Sequence, residues 1–396
     1  MVRHLGPARH QELDMKLRNA LTLAVALAAA DPFDAAFAAG KADAAPAAAP
    51  PAAAKAGGLL DAKTVADARS AVDRGLHFLR SKQAENGSYG NHVGLTSMAL
   101  LAFAGSHRAY RDADGPFVRR ATEWLLAQQR ADGAITGDAT PAYNTALAIM
   151  ALHDLDPAKY KTQIEAGQKF LANDQSDEDK KYTPADKYYG GIGYGGDERP
   201  DLSNLGFALE ALKKTGYDPK SDVWKKAETF LTRCQNRSES NDQPWSGNDG
   251  GFVYEPGDSK AGGTKSYGGM TFAGLKSLIF ANVKKDDPRV KAAWGWIQKN
   301  YDFTQHPGLG TTTYYYYLHT AASALEAMGE PYIPDEKGQK RNWAQDMTGR
   351  IVSLQKADGS WLNENGKYWE DNPVLVTSRA VVALSHALRA TGNNAK

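Results

Sequence analysis

Gln355-Lys356-Ala357-Asp358-Gly359-Ser360-Trp361 is the last copy of a phrase that runs through the chain. The phrase is an aromatic-Leu pair late in a helix, a Gln five residues after the aromatic, and a Gly-rich turn. It reads Phe78-Leu79, Gln83, Gly87 in the first copy and Trp124-Leu125, Gln129, Gly133 in the second. Phe170-Leu171 with Gln175 and Phe230-Leu231 with Gln235 follow, while the fifth unit departs, with Trp296-Ile297 and Tyr301 where Gln would stand. After each copy comes a second, more apolar helix, and these begin near Thr96, Thr145, Leu205, Thr271, Ala321 and Thr377. A recurring unit that cannot bury its own apolar face must stack on its neighbours. The second helices are apolar nearly all round, as in Thr145-Ala146-Leu147-Ala148-Ile149-Met150-Ala151-Leu152, and so expect burial on both sides. The first helices carry charge on one face, as with Arg119, Arg120 and Glu123. The expected fold is all-α: six helical hairpins in an α/α toroid, inner helices in one ring and outer helices around them.

The Gln and the downstream aromatic then read as staples. A Gln at a helix C-terminus can satisfy orphan carbonyls while its amide lies on an aromatic ring of the turn.

The 396 residues divide into three segments. Met15-Lys16-Leu17-Arg18 and the apolar run Ala20 to Ala30 have the pattern of a secretory signal, with Ala36-Phe37-Ala38 as a cleavage site, so residues 1–38 are expected to be a signal peptide starting at Met15. That run is too short to span a bilayer. Residues 39–58 are Ala and Pro with almost no apolar bulk and read as a tether. Residues 59–396 form the toroid, expected to be exported to the periplasm or beyond. A single cysteine, Cys234, excludes an intrachain disulfide and a Cys-based zinc cluster, and 47 basic against 46 acidic residues give no bulk attraction to nucleic acid.

The pattern of basic residue, aromatic-Leu, three residues, Gln and Gly-x-aromatic resembles the QW repeat of squalene and oxidosqualene cyclases, and is similar to the repeat of protein prenyltransferase β-subunits. Arg120, Trp124-Leu125, Gln129 and Gly133 match in the second unit, and residues 355–361 match Q-x-x-x-G-x-W in full. The resemblance implies the toroid and, in the cyclases, an acid in a D-x-D-D-T-A motif at the mouth of an inner helix. Pro141-Ala142-Tyr143-Asn144-Thr145-Ala146 and Asp201-Leu202-Ser203-Asn204 stand in register, and neither has two adjacent carboxylates. The prenyltransferase zinc site is missing too: Tyr267-Gly268-Gly269-Met270-Thr271 offers no ligand, and His319 alone does not hold zinc. Nor can Arg233-Cys234-Gln235-Asn236 form the thioester of the complement-type toroids. No metal and no cofactor are expected.

What remains is a cavity at the inner-helix starts. Asp201 is the surviving acid; Tyr143, Asn144, Asn204, Tyr194, Tyr267, Tyr317, His319 and Trp369 are the candidate ligand-contacting residues. Aromatic faces hold an elongated apolar molecule and stabilise cationic charge. Gly-rich insertions, Tyr188 to Pro200 and Ser246 to Thr264, are expected at the same rim, with Asp197, Glu198, Asp249, Glu370 and Asp371 as scattered acids. The expected role is binding of an isoprenoid or other lipid, with divergent terpene-cyclase chemistry as its enzymatic form. A carbohydrate-active toroid and a protein-binding scaffold are the alternatives. An acid-free, aromatic, closed cavity favours lipid, an open polar groove favours glycan, and a filled toroid favours the scaffold.

Overall fold

The computed structural model describes residues 59–195 and 199–393. The expected signal peptide and tether, and Asp197 and Glu198, lie outside the described residues.

Twelve α-helices occur among the described residues. Six form an outer set: α1 Ala62–Ser81, α3 Pro116–Leu126, α5 Lys161–Asn173, α7 Asp222–Arg233, α9 Pro288–Lys299 and α11 Trp343–Ser353. Six form an inner ring: α2 Val93–Gly105, α4 Pro141–Leu155, α6 Leu202–Lys214, α8 Gly268–Phe280, α10 Tyr314–Met328 and α12 Pro373–Ala390. Each inner helix packs on the next, and α12 packs back on α2, so the ring closes. The α/α toroid expected from the repeat is present. A two-residue β-ladder, Ile333–Pro334 with Lys340–Arg341, decorates the α10–α11 connection.

The inner helices begin three to seven residues earlier than their apolar runs suggest. The start signals are caps: Pro141 and Pro373 in the first turn, Asp201 and Asn372 as N-caps. Tyr314 to Tyr317 are accordingly the first turn of α10.

The repeated Gln is a staple, with a geometry other than the expected one. Its amide nitrogen bridges two carbonyls, one in its own Gly turn and one on the next outer helix. Gln83 donates to Gly87 O and Phe117 O, at 2.8 and 2.7 Å. Gln175 donates to Gly190 O and Val223 O, and Gln235 to Gly250 O and Arg289 O. Gln355 joins Gly359 O to Ala71 O and so ties the last hairpin to the first. In the divergent fifth unit Tyr301 does this work, its hydroxyl donating to Asp346 of α11 at 2.8 Å. Trp361 is fully buried and donates from Nε1 to Ile351 O at 2.8 Å. Cys234 is buried beside this layer, and burial pushes its thiol pKa up.

Candidate functional site

The inner helices all start at one end, and there a cavity of about 460 Å³ opens on the ring axis. Both Gly-rich insertions shape it. The first lends Tyr194, whose carbonyl accepts from Ala142 N at 3.0 Å and so caps α4. The second lends Tyr254 and Lys260, and the Tyr254 carbonyl accepts from Leu202 N at 2.8 Å at the start of α6. The walls are aromatic and aliphatic: Tyr143, Tyr194, Tyr254, Tyr267, Tyr316, Leu95, Met270, Leu309 and Leu375. Among the described residues no Asp or Glu lines it.

Of the sequence-derived residues, Tyr143, Tyr194, Asn204, Tyr267 and Trp369 line this one cavity. The others stand elsewhere. Asn144 is buried at the foot of α4, its amide donating to Asp138 at 2.8 Å and to Thr136 at 3.2 Å. Tyr317 turns toward α8 and α9, its ring stacked on His306 at 4.7 Å and its hydroxyl donating to Asp302 O at 2.6 Å. His319 sits one turn deeper on α10, where it lines a different cavity at the opposite end of the ring. Phe207 separates the two levels, 5.1 Å from Tyr143, 6.3 Å from Tyr316 and 6.1 Å from His319 between ring centres.

Asp201 lies just behind the wall. It is 2% exposed and caps α6, Oδ1 accepting from Asn204 N at 2.9 Å and Oδ2 from the Asn204 amide at 2.6 Å. Burial raises its pKa to about 6, against hydrogen bonds from Asn204 and the Tyr254 hydroxyl that pull it down. It therefore carries a proton in mildly acidic solution, unlike an ordinary carboxyl. Burial and the neighbouring Asp201 in turn push the Tyr254 hydroxyl well above its usual range.

Three further residues complete the site, of which only His306 carries no signal in the sequence. Glu370, assigned there to the scattered rim acids, is fully buried: it accepts from the backbone N–H groups of Tyr315 and Tyr316, from Asn363, and from Arg379 at 3.1 Å. It caps α10 in place of a local N-cap, where Thr313 adopts φ +52°. His306 does the same for α8, its Nε2 accepting from Gly269 N at 2.7 Å. Tyr316, the one member of the tyrosine run facing the cavity, donates to Ser203 Oγ at 2.9 Å under the Arg379 guanidinium. Over the mouth stand Tyr368 and Trp369, 58% and 54% exposed, both with left-handed backbone, Trp369 edge-on to His92 at 5.0 Å. Consecutive bulky residues at positive φ are a local strain, and the Glu370 anchor beside them holds it in place. Among the described residues no cluster of His, Cys, Asp or Glu could hold a metal ion.

No protein-family model and no curated protein matches this chain. Solved structures do. A variant of the type II terpene cyclase MstE from Scytonema, in complex with its product merosterolic acid A, superposes with a TM-score of 0.51 at 12% identity, covering 84% of this chain and 100% of that one. The apo form of the same cyclase gives 0.51 at 12% identity, over 82% and 99%. The fold is terpenoid cyclase-like. A glycosidase is also similar, at TM-score 0.47 and 12% identity over 84% and 99%, too low to carry an argument.

Proposed function

We propose that this terpenoid cyclase-like ring is an exported protein that binds an elongated apolar molecule, an isoprenoid or another lipid, in the rim cavity. The supporting observation is the wall: mostly aromatic and aliphatic side chains around about 460 Å³, with no carboxylate among the described lining residues. The aromatic and aliphatic part of this surface gains from apolar contact. A retaining or inverting glycosidase needs two carboxyls facing one substrate, and none lines this cavity among the described residues. Tyr143, Tyr267 and Tyr316 supply flat faces along the ligand, and exposed Trp369 and Tyr368 cover its outer end. Export rests on the charged and apolar pattern of residues 15–38.

Asp201 supports a reactive version of the same reading. A carboxyl with pKa about 6 that shares a hydrogen bond with wall residue Tyr254 is a proton source for an alkene lying against that tyrosine.

The test is mass spectrometry of small molecules carried by the protein after export in a bacterial host. A stoichiometric isoprenoid or acyl lipid, lost in Tyr143→Ala and Trp369→Ala, is expected. A protein that stays empty and binds no polyene when challenged would overturn the reading. If turnover of an added polyene is seen, it should fall as pH rises through 6 and vanish in Asp201→Asn.

A further inference from the structure

The ring has a second opening at the end where the inner helices finish. A funnel of about 530 Å³ lies there, and it shares Glu210, Lys214, His386 and Arg389 with a deeper pocket of about 50 Å³ that reaches Phe207 and His319. The chemistry is unlike that of the rim. Arg111, Lys213, Lys214 and Arg389 line it, together with Asp154, Glu210 and Glu326.

The three carboxylates are already held. Asp154 accepts from Lys214 at 2.6 Å, Glu210 from Lys276 at 2.5 Å and Ser323 at 2.8 Å, and Glu326 from Arg389 at 2.9 Å and from His386. Lys213 is bonded to the neutral amide oxygen of Asn282, and Arg111 to the carbonyls of Ala104 and Tyr110. Four lining cations, with Lys276 behind Glu210, thus stand against three carboxylates, at a concavity with low-dielectric walls that concentrates their field. Helix capping explains part of this, since Arg389 and Arg111 also reach the last carbonyls of α2. Lys213 and Lys214 stand in the last turn of α6, where a cation is favourable as well. Helix ends do not explain an open volume, or ions set on the axis of a ring that apolar side chains would fill at lower desolvation cost. At the deep end His319 is 5% exposed and its Nδ1 has no hydrogen-bond partner, beside Leu101, Leu147 and Met150.

We propose that this funnel is a second binding site, for a small organic oxyanion. A carboxylate or phosphate group would sit at the mouth between Lys213 and Arg111, and a short apolar end would point down to Phe207. The site is independent of the ligand assigned to the rim.

Calorimetric titration of the full chain with inorganic phosphate and with butyrate, each against chloride at equal ionic strength, tests this. Saturable binding of either is expected, weakening with added salt, and at least tenfold weaker in Lys213→Ala, an exposed position whose loss leaves the core intact. Binding of phosphate alone or of butyrate alone would support the site and identify its anion. Heat no different from chloride for both anions would overturn the proposal. So would binding that is unchanged in both Lys213→Ala and Arg111→Gln, which would place the anion elsewhere.

Discussion

His306 works only as a neutral ring. Gly269 N–H donates to Nε2, so the proton sits on Nδ1 and is given to Thr312 O at 2.9 Å. Burial lowers its pKa to about 4. The unfolded chain, with pKa near 6.5, therefore takes up a proton first as pH falls, and folding stability is lost between about 6.5 and 4, by about 3 kcal/mol in all. Asp201 has the opposite sign. Its folded pKa of about 6 lies above the ordinary carboxyl value, so its contribution is present in acid and lost as pH rises from about 4 to 6. Removing one side of this opposition should expose the other. Asp201→Asn should steepen the rise of stability from pH 4 to 6 by about 1.4 kcal/mol per unit, and His306→Ala should reverse it in the same window. Urea unfolding at half-unit pH steps reads both slopes, and parallel curves for all three proteins would refute the assignment. Asp201 was legible because it fell in register with a known motif position. His306 was not: its partner Gly269 is 37 residues away, and no local spacing announces a cap supplied by a neighbouring hairpin.

The hairpin is the element that the sequence declared most openly, because one steric demand recurs in every copy. Gly190 sits at φ +84°, and a Cβ there would lie 1.8 Å from the Lys226 carbonyl; at Gly359 it would lie 2.5 Å from Arg74 O. The turn touches the next outer helix backbone to backbone, and only glycine permits both the conformation and the approach. Gly190→Ala should accordingly cost more than about 3 kcal/mol, beyond the usual range for one substitution. Gln235→Ala removes a buried amide from two carbonyls and should cost about 2 to 3 kcal/mol, whereas half-exposed Gln83→Ala should cost about 1. Thermal and urea unfolding of the three variants gives the order, and equal losses at Gln83 and Gln235 would show that the bridge is not what stabilises the turn. The periodic Gln and Gly could be read without a structure. The direction of the amide could not, since a side chain that bonds its own turn and the next helix leaves no mark beyond its own identity.

Closure distinguishes the whole molecule from an open array of the same hairpins. An open solenoid loses a terminal repeat at the cost of one interface, because each unit meets only its neighbours. Here α12 packs on α10, α2 and α1, and Gln355 and Trp361 lock the last hairpin under the first. Deleting residues 343–393 would expose the inner faces of α2 and α10 together, surfaces that are buried along nearly their whole length. That truncation should not unfold cooperatively. A circular permutant should, although it too breaks the chain. Arg69 donates to the Asn393 carbonyl at 2.7 Å and Asn342 reaches Leu59 O, so both ends of the ring meet the same α1–α11 corner. Joining 393 to 59 through a short Gly-Ser linker and opening the exposed turn between Pro219 and Lys220 keeps every hairpin in place. The permutant should melt in one transition within a few degrees of the parent, and the truncation should show a broad, low-enthalpy one by calorimetry. A truncation that melts as sharply as the permutant would mean that the hairpins are held by local pairs and that the ring contributes nothing of its own. The repeat implied that closure before any coordinate was seen. The chemistry that distinguishes the two ends of the ring comes from non-repeating residues, Tyr254 and Lys260 in one insertion and Lys213 and Arg389 at the helix ends, and these follow no period that a sequence could display.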